Sequence, residues 1–193
     1  MIILGFDTST VQCAACVMRD GKKLVARADA MSRGQAEHLM PMLEAMLGEC
    51  GLTWQDLDAI GVGIGPGNFT GIRISVAAAR GLALGLNIPA IGVSSFDAAT
   101  GGRSVPSAID GPRGRMYLKP VGEDPVLLPE DVVRAVRGIT FLPSGADHAE
   151  TIAREAWLRM LDPDAEPPKR PAPLYIKSAD AAPPRDAPPR IIP

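Results

Sequence analysis

Two short segments carry residue types that proteins use to hold phosphate. Asp7-Thr8-Ser9-Thr10 closes the first apolar run, and Gly63-Ile64-Gly65-Pro66-Gly67-Asn68-Phe69-Thr70-Gly71-Ile72-Arg73 joins a later run to a helical pattern. A strand that ends in Asp-Thr-Ser-Thr and doubles back can offer backbone N–H groups and hydroxyls to a phosphate, while the aspartate orders a hydrated magnesium ion. The same four residues also make a plain polar turn in which Asp and Ser bond local backbone. In Gly65-Pro66-Gly67-Asn68 the glycines permit unusual backbone angles and the helix start offers N–H groups to an anion. A tight structural turn without a ligand fits those residues equally well.

Other chemistry fails on spacing. Counted from Gly63 and Gly65, the third glycine of a GxGxxG loop would fall at Asn68, and no Gly-Lys-Ser/Thr follows for a Walker loop. There is no GxSxG elbow, and neither His38 nor His148 has a defined serine or cysteine partner or a metal motif. Cys13 and Cys16 share CxxC spacing inside a strand-like run, where an odd separation sends the two thiols to opposite faces as inert core. Arg113 and Arg115 lie in a turn, and Lys169, Arg170, Lys177, Arg185 and Arg190 dot the last residues. Both groups read as solvated surface or as modest RNA contacts.

The elements that must position these residues are legible from periodicity. Residues 1–8, 10–19 and 22–29 alternate with turn signals and predict three antiparallel strands. Leu39, Met42, Leu43, Met46, Leu47 and Cys50 keep helical spacing, with Gly51 as C-terminal cap and Pro41 expected to kink the helix or reset its first turn. A buried strand over 58–64, a helix over 68–86 capped by Asn68, and a strand over 88–93 complete an α/β lobe at 1–95. A smaller α/β lobe at 96–162 is expected, with strands at 105–110, 115–121 and 139–142 and helices at 130–137 and 147–161. Ten of the nineteen prolines fall from Pro163 onward, so 163–193 is expected to run extended over the surface or stay mobile.

Helix 68–86 is apolar nearly all round, which predicts burial all round, yet one small lobe covers a single flank. Ala77, Gly81 and Gly85 form a small-residue row that admits another backbone. The two helices together are therefore expected to dock a partner, with Leu39, Met42, Leu43, Met46, Ile72, Arg73, Val76, Ala79, Arg80 and Ala83 at the interface. An obligate contact buries more than about 2,000 Å², within reach of two such helices. The chain of 193 residues is 46% apolar with net charge −2, which gives no diffuse positive field for DNA or RNA. With three cysteines, no leader and no apolar run near about eighteen residues, a cytoplasmic protein without a membrane span is expected.

Phe6-Asp7-Thr8-Ser9-Thr10, Gly65-Pro66-Gly67-Asn68-Phe69-Thr70-Gly71-Ile72-Arg73, Ile109-Asp110 with Arg113-Gly114 and Tyr117, and Pro173-Leu174-Tyr175-Ile176 stand in the order seen in the TsaB (YeaZ) family of bacterial tRNA threonylcarbamoyladenosine biosynthesis proteins, which the chain resembles from end to end. The resemblance implies an actin-like, RNase H-like fold (ASKHA) of two lobes, here with the second shortened. It also implies a noncatalytic partner of the catalytic TsaD subunit, working with the TsaE ATPase and meeting tRNA indirectly, or a homodimer when alone. The HxxxH metal pair of the catalytic relative is absent, with only His38 in that neighbourhood, and so is a second glycine-rich nucleotide turn. No intrinsic cofactor or metal is then expected, and ATP or ADP would bind weakly or at the partner interface. The rival readings are a small ATP-dependent phosphotransferase, suggested by Asp7, and an M22-like metallopeptidase.

Overall fold

In the computed structural model, which describes residues 1–164 and 166–176, three apolar strands pair first. These are β1 (Ile2–Thr10), β2 (Gln12–Arg19) and β3 (Lys22–Ala30). Helix α1 (Gln35–Glu49), strand β4 (Ala59–Gly63), helix α2 (Phe69–Leu86) and strand β5 (Ala90–Val93) follow. The sheet order is β3-β2-β1-β4-β5, antiparallel among the first three strands and parallel from β1 through β5. The longer elements expected from the sequence thus appear at nearly their expected bounds. α1 ends as expected at Gly51, whose φ of 64° lets Leu52 N donate to Leu47 O at 2.9 Å and close the last turn. Contrary to expectation, α1 runs without a break through Pro41, which stands on the exposed side where its missing N–H costs no buried bond.

Both faces of this sheet are covered, so β1 and β2 are buried along almost their whole length. One face sends Leu4, Phe6, Cys13, Ala15 and Val17 against α1 and α2. The other sends Ile3, Ala14, Cys16 and Met18 against α5 (Ala146–Leu161). Cys13 and Cys16 therefore do lie on opposite faces, and burial pushes both thiols up to about 12, so they stay protonated core groups.

α5 corrects the division of the chain at residue 95. It comes from the C-terminal half but closes the first lobe through Ala149, Ile152, Ala153 and Ala156. Its alanines fit because Gly5 and Gly61 face them: a Cβ at Gly5 would stand 2.7 Å from Ala153, and one at Gly61 2.9 Å from Ala156. The second lobe is then the stretch between, with α3 (Ser95–Thr100), β6 (Ser107–Asp110), β7 (Arg115–Lys119), β8 (Val126–Pro129), α4 (Glu130–Ala135) and β9 (Thr140–Phe141). Its sheet has the order β8-β7-β6-β9.

α2 needs a second correction. At 18 residues with mean hydropathy 1.3 it is long and apolar enough, by length and composition, to cross a membrane, against the expectation that no such run exists. Its inner flank packs as a core helix, burying Ile72, Ser75, Val76 and Ala79. Lys177, Arg185 and Arg190 lie outside the described residues.

Candidate functional site

The two phosphate-style segments meet and fill each other. Asp7 and Thr8 are fully buried and Ser9 is buried beside them. Asp7 Oδ1 accepts from Ser9 N at 2.7 Å and from Ser9 Oγ at 2.8 Å, so the carboxylate caps its own turn. Thr8 Oγ1 donates to Gly71 O at 2.7 Å, and Asn68 N donates to Ser9 O at 2.6 Å. Asn68 Oδ1 accepts from Gly71 N at 2.9 Å, the expected N-cap of α2. Two N–H groups that an anion would need are thus already taken.

Three glycines record how close this joint is. A Cβ at Gly63 would stand 1.9 Å from Asp7 Oδ2, one at Gly67 would stand 2.7 Å from Ser9 O, and one at Gly71 would stand 1.9 Å from Thr8 O. The expected phosphate-style residues Asp7, Thr8 and Ser9 thus lie in a close internal joint with the glycine turn, in which Asp7 Oδ2 and Thr10 Oγ1 are buried without a hydrogen-bond partner. Gly65-Pro66, a cis peptide with Gly65 at φ 89°, completes the joint through bonds to the start of α3. Ser95 N donates to Gly65 O at 2.8 Å and Ser95 Oγ to Pro66 O at 2.9 Å.

The interface residues divide. Leu39, Met42, Leu43, Met46, Ile72, Val76 and Ala79 are all at most 3% exposed and belong to the core of the single chain, although Val76 also lines the groove beside α2. The sheet claims them because its first face needs an apolar cover, and α1 and α2 are what covers it. Arg73 is exposed, and Arg80 and Ala83 are half-buried. The open flank of α2 consists of Phe69, Arg73, Ala77, Gly81, Leu84 and Gly85, with Leu84 79% exposed. Nothing lies within 4 Å of a Cβ placed at Gly81 or Gly85. Charging Ala79 would therefore test folding, not docking.

Periodicity missed what borders this flank. After α5 the segment 166–176 returns across the edge of the sheet and buries Pro171. Leu174 N donates to Ile64 O at 2.8 Å. Arg73 Nε donates to Tyr175 Oη at 2.8 Å, its guanidinium sits 3.7 Å above the Phe69 ring, and the Phe69 and Tyr175 rings stack at 5.2 Å. The stretch around Tyr175 was expected to be surface tail, and no periodic signal could place it, since a single extended strap has none. Its only sign was the apolar Pro173-Leu174-Tyr175-Ile176 cluster among prolines.

Among the described residues no group of three or more His, Cys, Asp or Glu could hold a metal ion. His38 Nε2 lies 2.7 Å from Asp29 Oδ2 on the surface and ties α1 to β3. His148 is buried in α5 with neither ring nitrogen bonded. Glu155, two turns further on, is also buried, and desolvation raises its carboxyl above the usual range. Asp97 meets Arg159 at 2.9 Å nearby. These groups join α5 to α3 and do not converge on the open flank of α2.

Parts of this chain are similar to known proteins. The family model described as "TsaD: tRNA N6-adenosine threonylcarbamoyltransferase" matches residues 29–118, which contain α1, the glycine joint and α2. The tRNA threonylcarbamoyladenosine biosynthesis protein TsaB of Escherichia coli is 36% identical over 124 residues, 61% of this chain and 53% of that protein. The protein of the same name in Haemophilus influenzae is 30% identical over 133 residues, 65% of this chain and 56% of that one. The matched stretch thus spans little more than half the length of these curated relatives. In fold, YeaZ from Pseudomonas aeruginosa superposes with a TM-score of 0.74 at 24% identity, covering 91% of this chain and 99% of that one. In sequence over its first lobe and in fold over most of its length, the chain is thus similar to TsaB (YeaZ) proteins.

Proposed function

We propose that this chain is a noncatalytic subunit that docks a TsaD-type catalytic subunit during transfer of a threonylcarbamoyl group to N6 of the adenosine beside the anticodon of tRNA. One observation carries the reading. The Asp7 turn and the glycine turn pack closely on each other, while the neighbouring flank of α2 is apolar, small and uncovered by the described residues. A helix flank with Leu84 in water and a row at Ala77, Gly81 and Gly85 gains stability only when another surface covers it. The names of the curated relatives support the pathway, and the likeness of residues 29–118 to the TsaD family model supports a related partner. At Asp7, which the phosphotransferase reading needs, Oδ1 already accepts from Ser9 N and Ser9 Oγ, while Oδ2 is buried without a hydrogen-bond partner. In this reading the chain contributes shape to the complex, and a nucleotide or TsaE would be met on surfaces completed by the partner.

Reconstitution tests it. Purified TsaD and TsaE are mixed with threonine, bicarbonate, ATP, the adenylate-forming enzyme and unmodified tRNA, with and without this chain. Modified nucleoside should accumulate only when the chain is present and should still require TsaD. Equal product without the chain, or product from the chain without TsaD, overturns the proposal.

A further inference from the structure

The second lobe holds a small polar cavity of about 140 Å3 between α3 and the strands β6 and β7. Strand register builds its wall. Ile109 and Tyr117 are Cα partners that pack toward Phe96 and Ala99 of α3. Ser107 and Lys119 are also partners, one pleat further on, so they face the same side where that apolar core ends. The Lys119 ammonium lies 5.6 Å from the centroid of the Phe96 ring. Arg103 reaches in from the turn after α3, held by donation from its Nε to Thr100 O at 2.8 Å, which leaves the rest of its guanidinium fork to donate elsewhere. Neither cation has an acid partner among the described residues. Asp97, the acid in the wall, is already paired with Arg159 at 2.9 Å. Ser107 is only 1% exposed and lines the cavity, yet its hydroxyl bonds to no described residue. A buried hydroxyl needs a partner, and this one has the cavity in front of it.

We infer that this cavity binds one phosphate group, as a monoester or as the free ion, in a site that shares no residue with the groove beside α2. Size excludes a larger ligand, since sites that enclose a whole small molecule measure about 300–1,000 Å3. Charge selects among small anions. A phosphate monoester carries nearly two negative charges at neutral pH and matches Arg103 with Lys119, whereas a phosphodiester or a carboxylate carries one. The donors also come from three elements, the turn after α3, the start of β6 and the end of β7. That arrangement suits oxygens pointing in several directions better than the planar edge of a carboxylate. Both cations are held before binding, Lys119 by the Phe96 ring and Arg103 by Thr100, so little side-chain freedom is lost when the anion arrives.

The test uses the full chain in chloride buffer, titrated with inorganic phosphate at constant ionic strength and followed by calorimetry and by amide chemical shifts. Wild-type chain should bind phosphate saturably, with the largest shifts at Arg103, Ser107 and Lys119. Arg103→Gln with Lys119→Gln should bind at least about tenfold more weakly, and Ser107→Ala about threefold more weakly. Arg103→Lys keeps the charge and should lose less than the double variant. Unchanged melting temperatures without phosphate show that the variants fold, and the wild-type shift map decides the matter if one does not. Glycerol 3-phosphate that binds at least as tightly as inorganic phosphate assigns the site to an organic monoester, and weaker binding assigns it to the free ion; both support the inference. Absence of saturable binding to wild type, shifts confined to other parts of the chain, or unchanged affinity in the double variant overturns it. Equal affinity for acetate also overturns it and gives the cavity to carboxylates. Tighter binding of an RNA strand without a terminal phosphate, lost in the double variant, overturns it in favour of a nucleic-acid backbone. Every one of these outcomes is independent of the docking reading above, because the chain is measured alone.

Discussion

The two ends of α2 use glycine for opposite reasons. At the start of the helix, Gly67 and Gly71 are small because Ser9 and Thr8 already press against them, and Gly63 is small because Asp7 does. Further along, Gly81 and Gly85 have nothing within reach of an added Cβ. A mid-helix glycine costs about 1 kcal/mol relative to alanine. At the first site that cost is repaid by a close internal joint, but at the second nothing among the described residues repays it. The difference separates a residue kept small by its own fold from one kept small for something outside it.

The largest expected effect lies at the filled end. Gly71→Ala puts a methyl 1.9 Å from the carbonyl oxygen of Thr8, a backbone atom at the centre of a buried turn that cannot swing aside as a side chain would. A loss of about 3 kcal/mol or more is expected, seen as a much lowered melting temperature by circular dichroism or as failure to accumulate folded protein. A near-normal melting temperature would show that the joint is loose and would reopen it as a ligand site.

Gly81→Ala is expected to act in the opposite direction on the isolated chain. With open space at its Cβ, it should stabilise the fold by up to about 1 kcal/mol while weakening association with the TsaD-type subunit, because the added methyl enters the groove floor. Thermal melting and calorimetry on one preparation read the two effects together. A variant that is more stable and binds unchanged would remove Gly81 from the interface and blunt the contrast between the two ends.

Much of this was visible in the residues. The alternation of β1 to β3, the methionine-bearing stripe of α1 and the Asn68 cap are local patterns, and local patterns survive folding. Which residues of α2 face inward is not local. Ile72, Val76 and Ala79 look as fit for a partner as for a core until the sheet beneath them is known. The return of α5 beneath the first sheet was illegible for a related reason: its signature is Gly5 and Gly61 opposite Ala153 and Ala156, pairs 148 and 95 residues apart. The phosphate-style motifs misled because the same small residues that let a ligand approach also let two stretches of backbone approach each other.

Glu155 sharpens the comparison on the buried side, where packing has a charge to accommodate. Its Oε1 has no hydrogen-bond partner, and burial raises its carboxyl, with Arg159 opposing the shift. Because the folded state holds this proton more tightly than the unfolded one, stability is fullest below the unfolded value near 4.5 and falls as pH rises from there through the raised folded value. Glu155→Gln should lift the melting temperature at neutral pH by a few degrees and flatten that part of the pH profile, with little change at low pH. A profile identical to wild type would mean that Glu155 finds its compensation in the folded state.

The smallest expected effect belongs to the strap, the one internal element that borders the open flank. Tyr175→Phe keeps the ring on Phe69 but removes the acceptor of Arg73 Nε. An exposed hydrogen bond of this kind contributes about 1 kcal/mol or less, so the melting temperature should barely move. The change should appear locally instead, as faster amide exchange at Leu174, whose N–H bond to Ile64 O pins the same strap. If exchange at Leu174 quickens while the amides of the Asn68–Gly71 joint stay protected, the rim of the groove moves independently of the packed end. Equal acceleration at both would make the strap a part of the packed joint, and α2 would then have one mechanical unit where two are argued.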